Sequence, residues 1–480
     1  MKADALGTSR APWQWTAVEA ATAVREKRIR SAELVAECLA RVEALDGSLK
    51  AFATVNRDAE SDAAAADRSV AAGRRLGPLH GVPIAIKDLA ATKGLRTTFG
   101  CARFADHVPP VDDLCVARLR RAGAIIIGKT TTPEFGFGAV CANRMNGPTC
   151  NPFDPTRTSG GSSGGSAVAV ATGMVALAHG TDFGGSVRTP ASFCGIVGLR
   201  PTPGRIPEPA YPPAWNRLST HGVLGRTVED VALMFEVMAG PDAGDAMTMG
   251  VPAWKRPGYE REAGRVERVA YTDDFGGSVP VDAEVGAIVR QAAQAIGGHG
   301  WTVAELSPDV KGVREAFQTL RAAVLDRQYG SLLEEGTNDL TESFVWNVAR
   351  GKGMSARDYL AAEETRGRIV REFSALFRRY DILALPAAGV LPFANEDGGV
   401  DAVNGRPLAN IIDYLAVTFA ISLVGFPALS IPCGHSSTGL PIGLQLVAPP
   451  FKETRLLHFA KRLQDNLGFR HHWPPTASRI

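Results

Sequence analysis
Serines set among glycines are the residues of this sequence best suited to covalent chemistry. Ser159 to Ser166 reads Ser-Gly-Gly-Ser-Ser-Gly-Gly-Ser, and further on comes Thr181-Asp-Phe-Gly-Gly-Ser186-Val-Arg-Thr-Pro-Ala191. Glycines directly before a serine permit backbone conformations closed to other residues, so successive amides can converge on one point. Stabilising an oxyanion demands such convergence. A flexible Gly/Ser linker would share this composition, but here the glycines interleave with Val, Ala, Phe and Ile in strand and helix patterns.

Two other motifs compete for the function. Gly123-Ala-Ile-Ile-Ile-Gly128-Lys129-Thr130 satisfies the phosphate-loop pattern letter for letter. Its inner residues are strand-forming and seek a core, and a helix rather than a strand precedes Gly123, so the segment reads as a buried strand. Gly160-Gly-Ser162-Ser-Gly164 fits the nucleophile elbow of Ser-His-Asp hydrolases, which needs a strand immediately before it. Residues 151–158 are a turn-rich loop instead. His80, His179 and His221 border Gly-rich turns and read as structural rather than as a partner base.

The segment Gly160 to Pro203 resembles the amidase signature family, whose hallmark is Gly-Gly-Ser-Ser-Gly followed by Asp-x-Gly-Gly-Ser-Ile/Val-Arg-x-Pro. The likeness continues through Phe193-Cys-Gly-Ile-Val-Gly-Leu-Arg-Pro-Thr-Pro-Gly-Arg205 and is echoed at 81–88, 128–135, 427–433 and 439–445, covering residues 16–465. Ser162 precedes Ser186 by 24 positions and Lys87 precedes Ser162 by 75, the separations of the family's Lys–Ser–Ser triad. The resemblance implies that Ser186 is the nucleophile, Ser162 a bridging serine after a cis peptide, and Lys87 the base. A lysine serves as a base only when neutral, and burial away from carboxylates favours the neutral amine. Asp88 is expected on the opposite face of the strand. Phe183, Gly184, Gly185 and Ser186 supply candidate oxyanion-hole amides. Ser163 reads as a supporting hydroxyl, and Asp182 with Arg188 as a salt bridge holding the loop.

The elements that must position these residues alternate between strand and helix. Residues 16–45 predict two helices joined near Arg30-Ser31, and 57–72 a third. Residues 82–87 alternate as a strand, and 115–122 are helical before the apolar strand 124–127. A strand over 268–271 is followed by a helix over 282–297. Further strands come at 381–385, 428–432 and 442–447, then a helix over 452–467. The pattern predicts an α/β fold: a single large domain over 1–480 with a central mixed, twisted β-sheet covered by helices on both faces. Within it, 16–75 would hold the N-terminal helices, 80–205 the catalytic core, 206–425 variable pocket segments and 426–470 the closing strands and helix.

Of 480 residues, 45% are hydrophobic and 21% charged, ample for a large core, with no linker tract or fixed-period repeat. A net charge of +2 offers no footprint for nucleic acid or anionic membrane. Residues 1–15 lack a signal-peptide pattern, and the small apolar run 167–178 is too short to span a bilayer. Seven cysteines without a Cys-x-x-Cys pair predict reduced thiols and a cytoplasmic setting. The triad requires no cofactor and no metal.

Specificity in the family resides in variable segments. Phe135, Gly136, Phe137, Tyr211, Trp215, Phe317, Leu320, Phe344, Trp346, Phe419 and Phe426 are the pocket candidates, Phe419 and Phe426 on an expected strand over 418–426. Their character predicts a small hydrophobic or aryl amide, with esters, anilides and carbamates sharing the same tetrahedral chemistry. The expected partner is therefore a small-molecule amide, without nucleic acid or membrane, and a homodimer by resemblance. Two alternatives stand: the glutaminase subunit of a tRNA-dependent amidotransferase, and a non-catalytic binding protein on the same fold.

Overall fold
Short apolar strands alternate with amphipathic helices because each sheet face must be covered to leave water. The computed structural model describes residues 10–138, 140–210, 215, 218–256, 267–410 and 412–478. The first third of the chain forms α1 (Ala17–Arg25), α2 (Ser31–Leu49), β1 (Phe52–Val55), α3 (Ala59–Ala71), β2 (Pro83–Lys87), α4 (Leu114–Arg121), β3 (Ile125–Thr130) and the hairpin β4 (Ala142–Asn143) with β5 (Gly147–Pro148). Next come α5 (Gly164–Ala171), β6 (Leu177–Asp182), α6 (Arg188–Phe193), β7 (Val197–Arg200), β8 (Thr220–Gly225), α7 (Val228–Met238), β9 (Arg268–Tyr271), α8 (Ala283–Gly298) and β10 (Thr302–Glu305). The remainder forms α9 (Val313–Glu334), α10 (Glu342–Ala349), α11 (Ala356–Phe377), β11 (Ile382–Pro386), the hairpin β12 (Ala402–Val403) with β13 (Arg406–Pro407), α12 (Ala416–Val424), β14 (Ala428–His435), β15 (Pro441–Val447) and α13 (Glu453–Leu467).

Among the described residues, eleven strands make one sheet in the order β1-β3-β2-β6-β8-β7-β14-β15-β11-β9-β10. It is mixed: β3-β2-β6 and β11-β9-β10 run parallel, and the strands between β6 and β11 pair antiparallel. Side-chain alternation on β2 splits the two faces. Ile84 and Ile86 enter a core shared with α1, α4 and α7, whereas Ala85 enters a second core with α2, α3 and α5. Each fully buried Val, Leu or Ile in these layers contributes about 1.5–3 kcal/mol. A third core joins α9, α11 and α12.

Helix α5 sits close to the sheet because its first turn is small: a side chain at Gly165 would come within 2.5 Å of the Thr131 amide nitrogen. β3 is buried throughout, and the Lys129 ammonium is held by the Ala90 carbonyl, Thr92 Oγ1 at 2.8 Å and Thr97 Oγ1 at 3.0 Å. The phosphate-loop pattern is thus a core strand.

Residues 418–426, expected as a strand, instead lie largely in helix α12, buried over its whole length and closed by Gly425 at φ 72°. A short run that is apolar on every side carries no periodicity to separate buried helix from buried strand, and the left-handed glycine cap is what ends it as a helix.

Candidate active site
Strand β2 carries Lys87 at its C-terminal end, on the face shared with Ala85 and α5. There its Nζ meets three hydroxyls: Ser162 Oγ at 2.7 Å, Ser163 Oγ at 2.9 Å and Thr181 Oγ1 at 2.9 Å. The lysine is fully buried, and burial lowers its pKa to about 7 against weaker opposing pulls from Cys141 and Asp182. Ser162 and Ser163 immediately precede the N-terminus of α5, whose positive end also disfavours an ammonium. The Gly161–Ser162 peptide is cis. Asp88 turns away as expected and accepts from the amide and hydroxyl of Thr98.

Ser186 lies in the loop between β6 and α6, and its carbonyl accepts from the Ser163 amide at 3.1 Å, joining the two serine segments. The carboxylate of Asp182 organises this loop: it accepts from the Gly185 amide at 2.9 Å, the Val187 amide at 3.1 Å and Arg188 Nη2 at 2.8 Å. Arg200 Nη1 adds an ion pair at 3.2 Å. Burial alone would raise the Asp182 pKa, but the two guanidiniums outweigh it and hold the group well below the usual carboxylate range. Arg188 in turn donates to Gln445 Oε1 at 2.5 Å, Ser422 Oγ at 2.7 Å and the Thr418 carbonyl at 2.9 Å.

Of the four expected oxyanion-hole amides, Gly185 is already committed to Asp182. The carboxylate that shapes the loop needs that donor, which leaves the amides of Phe183, Gly184 and Ser186 without an acceptor among the described residues. Gly184 is fixed from behind, its carbonyl accepting from Thr418 Oγ1 at 2.7 Å.

A cleft of about 510 Å³ opens onto Ser162 and Thr181, walled by Leu89, Phe135, Gly136, Phe137, Phe183 and Tyr329. Asp112, Asp113, Glu208 and Gln328 line it as well. Among the pocket candidates, Phe135, Gly136 and Phe137 therefore reach the cleft. Phe344 backs Phe135 at 4.8 Å between ring centroids, while Phe317 stacks on Phe419 at 4.5 Å behind Phe183. Leu320 and Phe426 belong to the third core, and Phe426 packs on Phe373 and Phe377 rather than on the cleft. Trp215 and Trp346 are exposed at 67% and 46%, so neither is a wall residue. Tyr211 lies outside the described residues. Sequence reasoning misses Thr181 and Tyr329. Strand alternation from His179 points to the first, and the four-residue spacing from Phe317 along α9 points to the second.

Cys115, His179 and His221 are buried, with one ligand atom of each within 4.8 Å of the others, the one such grouping among the described residues. The two imidazoles hydrogen-bond to each other at 2.9 Å. Burial, with His221, Lys129 and Lys87 nearby, keeps His179 neutral.

The model of the Amidase family matches residues 33–457 of this chain. The chain belongs to the amidase signature family. Like other members, this amidase signature protein is an amidohydrolase, cleaving C–N bonds of amides. It is 38% identical to the A subunit of glutamyl-tRNA(Gln) amidotransferase from Anaeromyxobacter dehalogenans (strain 2CP-C), over 94% of this chain and 96% of that one. Among solved structures, a bacterial aryl acylamidase of the amidase signature family superimposes with a TM-score of 0.86 at 28% identity, covering 95% of this chain and 97% of that one. The A subunit of the Thermotoga maritima glutamyl-tRNA(Gln) amidotransferase does so with a TM-score of 0.78 at 26% identity, covering 95% of each. These relatives correct the expectation of a small-molecule amide as the partner, without nucleic acid and as a homodimer. By name the amidotransferase relatives are subunits of a larger enzyme of glutamyl-tRNA(Gln). Near-neutral net charge does not reveal such partners, because recognition of a nucleic acid can rest on a companion subunit. No described helix is long and apolar enough to cross a membrane.

Proposed function
We propose that the chain is the amide-cleaving subunit of a multi-subunit amidotransferase, releasing ammonia from the side-chain amide of glutamine for transfer to a tRNA-linked carboxylate. Support comes from the amidotransferase relatives, matched over nearly their full length. The observation that carries the chemistry is the buried Lys87 amine in contact with Ser162. In this reading Ser186 attacks the amide carbonyl and its proton passes through Ser162, whose hydroxyl both donates and accepts, to neutral Lys87. The negative charge developing on the carbonyl oxygen falls to the amides of Phe183, Gly184 and Ser186. The same proton returns through Ser162 to the leaving nitrogen, and water then releases the acyl group. Seven free cysteines support a reducing compartment.

The aromatic wall of Phe135, Phe137 and Phe183 favours a second reading, an amidase acting on apolar or aryl acyl groups. The test measures ammonia released from glutamine and amidation of glutamyl-tRNA(Gln) in the presence of the other amidotransferase subunits, for wild type and Ser186→Ala. The first reading expects both activities in wild type and neither in the variant. Cleavage of aryl amides with glutamine untouched would replace it by the second reading. Substantial turnover by Ser186→Ala would sink the serine assignment in either.

A further inference from the structure
Helix α9 contributes to two different cavities. Tyr329 lines the cleft, whereas Gln318 and Ala322, one turn apart, line a separate cavity of about 360 Å³. Arg350, Lys352 and Gly353 of the α10–α11 turn complete it with Asp358 of α11. The turn is pressed directly onto the helix. A side chain at Gly351 would come within 2.3 Å of the Ala322 carbonyl oxygen, and the Gly351 amide donates to the Val348 carbonyl at 3.1 Å.

The buried part of this lining is polar and unsatisfied. Gln318 is 7% exposed, and its Oε1 and Nε2 are both buried with no hydrogen-bond partner among the described residues. An unbonded amide withdrawn from water is costly, so this side chain suits a ligand that both accepts and donates. The outer part is cationic. Arg350 and Lys352 are exposed, and neither meets a carboxylate among the described residues. The Arg350 guanidinium is set over the Trp346 ring, 4.8 Å from its centroid. Asp358 does not offset them, because its carboxylate accepts from the Ser355 amide at 3.1 Å and hydroxyl at 2.7 Å, which hold its pKa below the usual carboxylate range. Arg321, just before Ala322 on α9, adds a third positive charge: it is buried, and burial first, with Arg350 after it, lowers its pKa to about 10.

We propose that this cavity is a phosphate site, distinct from the cleft, taking a protonated phosphate anion either as free phosphate or as the head of a small phosphomonoester. Arg350 and Lys352 neutralise the charge. Gln318 senses the proton: Nε2 donates to a phosphate oxygen while Oε1 accepts from the P–OH group. Sulfate and carboxylates carry no proton at neutral pH and leave Oε1 unpaired. The inference does not depend on which amide is cleaved at Ser186.

The test is isothermal titration in chloride buffer at neutral pH with inorganic phosphate, sulfate and glycerol 3-phosphate. Wild type and Ser186→Ala are expected to show the same saturable phosphate site, with sulfate about tenfold weaker or more. Gln318→Leu should remove that preference, lowering phosphate affinity about tenfold with sulfate little changed, and Arg350→Gln should weaken both anions. Glycerol 3-phosphate binding more tightly than phosphate names a phosphomonoester as the occupant; weaker binding names free phosphate. Absence of saturable binding to wild type overturns the proposal, as does binding that both substitutions leave unchanged. Equal affinity for sulfate and phosphate overturns the assignment of a protonated anion. Arg350 is exposed, so its substitution tests the site even if Gln318→Leu fails to fold.

Discussion
Lys87 has three hydroxyl partners and no carboxylate in contact, so its environment stabilises the amine rather than the ammonium. Its lowered pKa of about 7 puts the neutral form within reach of ordinary working pH. If that form is the base, kcat/KM rises about tenfold per pH unit below 7 and levels above it, and a pH–rate profile checks this. Lys87→Arg keeps the charge at every accessible pH. It is expected to lower kcat by about 10²–10⁴-fold, the usual worth of a positioned base, with circular dichroism confirming that the fold is retained.

Among the elements, the β6–α6 loop is shaped from both ends. Asp182 draws in the Gly185 and Val187 amides, and α12 braces the loop from behind through Thr418. Thr418→Val removes the hydroxyl that holds the Gly184 carbonyl while preserving shape. One lost hydrogen bond of about 1 kcal/mol predicts a several-fold fall in kcat with a smaller change in KM, measured by steady-state kinetics. Gly185 has φ 129°, and a side chain there would meet Thr418 Oγ1 at 2.3 Å. Gly185→Ala is therefore expected to destabilise by about 1–3 kcal/mol and to lose activity, read from urea unfolding and turnover together.

Across the whole molecule, the Asp182–Arg188–Arg200 group ties the serine loop to the far end of the chain, because Arg188 also reaches Gln445 on β15. Removing the central charge strands two buried guanidiniums, so Asp182→Asn is expected to cost about 3–5 kcal/mol in urea unfolding. The sign of its pH dependence follows from the lowered folded pKa. The wild-type contribution is full above the unfolded value of about 3.9 and is lost as pH falls through the folded one. Acid unfolding of the variant should therefore depend less steeply on pH below about 4.

Legibility in the sequence tracks how local each feature is. The serine loop is readable because Asp182, Ser186 and Arg188 lie within seven consecutive residues, and glycine placement there dictates the backbone directly. The sheet is readable because strand and helix periods differ. Helix α12 reads as a strand because an apolar segment buried on every side has no contrasting face. The engagement of the Gly185 amide, the third hydroxyl on Lys87 and the outward turn of Trp215 and Trp346 do not follow from spacing, since each depends on which distant segments meet. Residue type and local backbone are enough to specify a serine, its amides and a lysine on a strand, so the candidate chemistry is legible in the amino-acid order. The cleft is not. Helix α9 brings Tyr329 into the cleft that holds Ser162 across more than a hundred intervening residues, and packing alone sets that meeting.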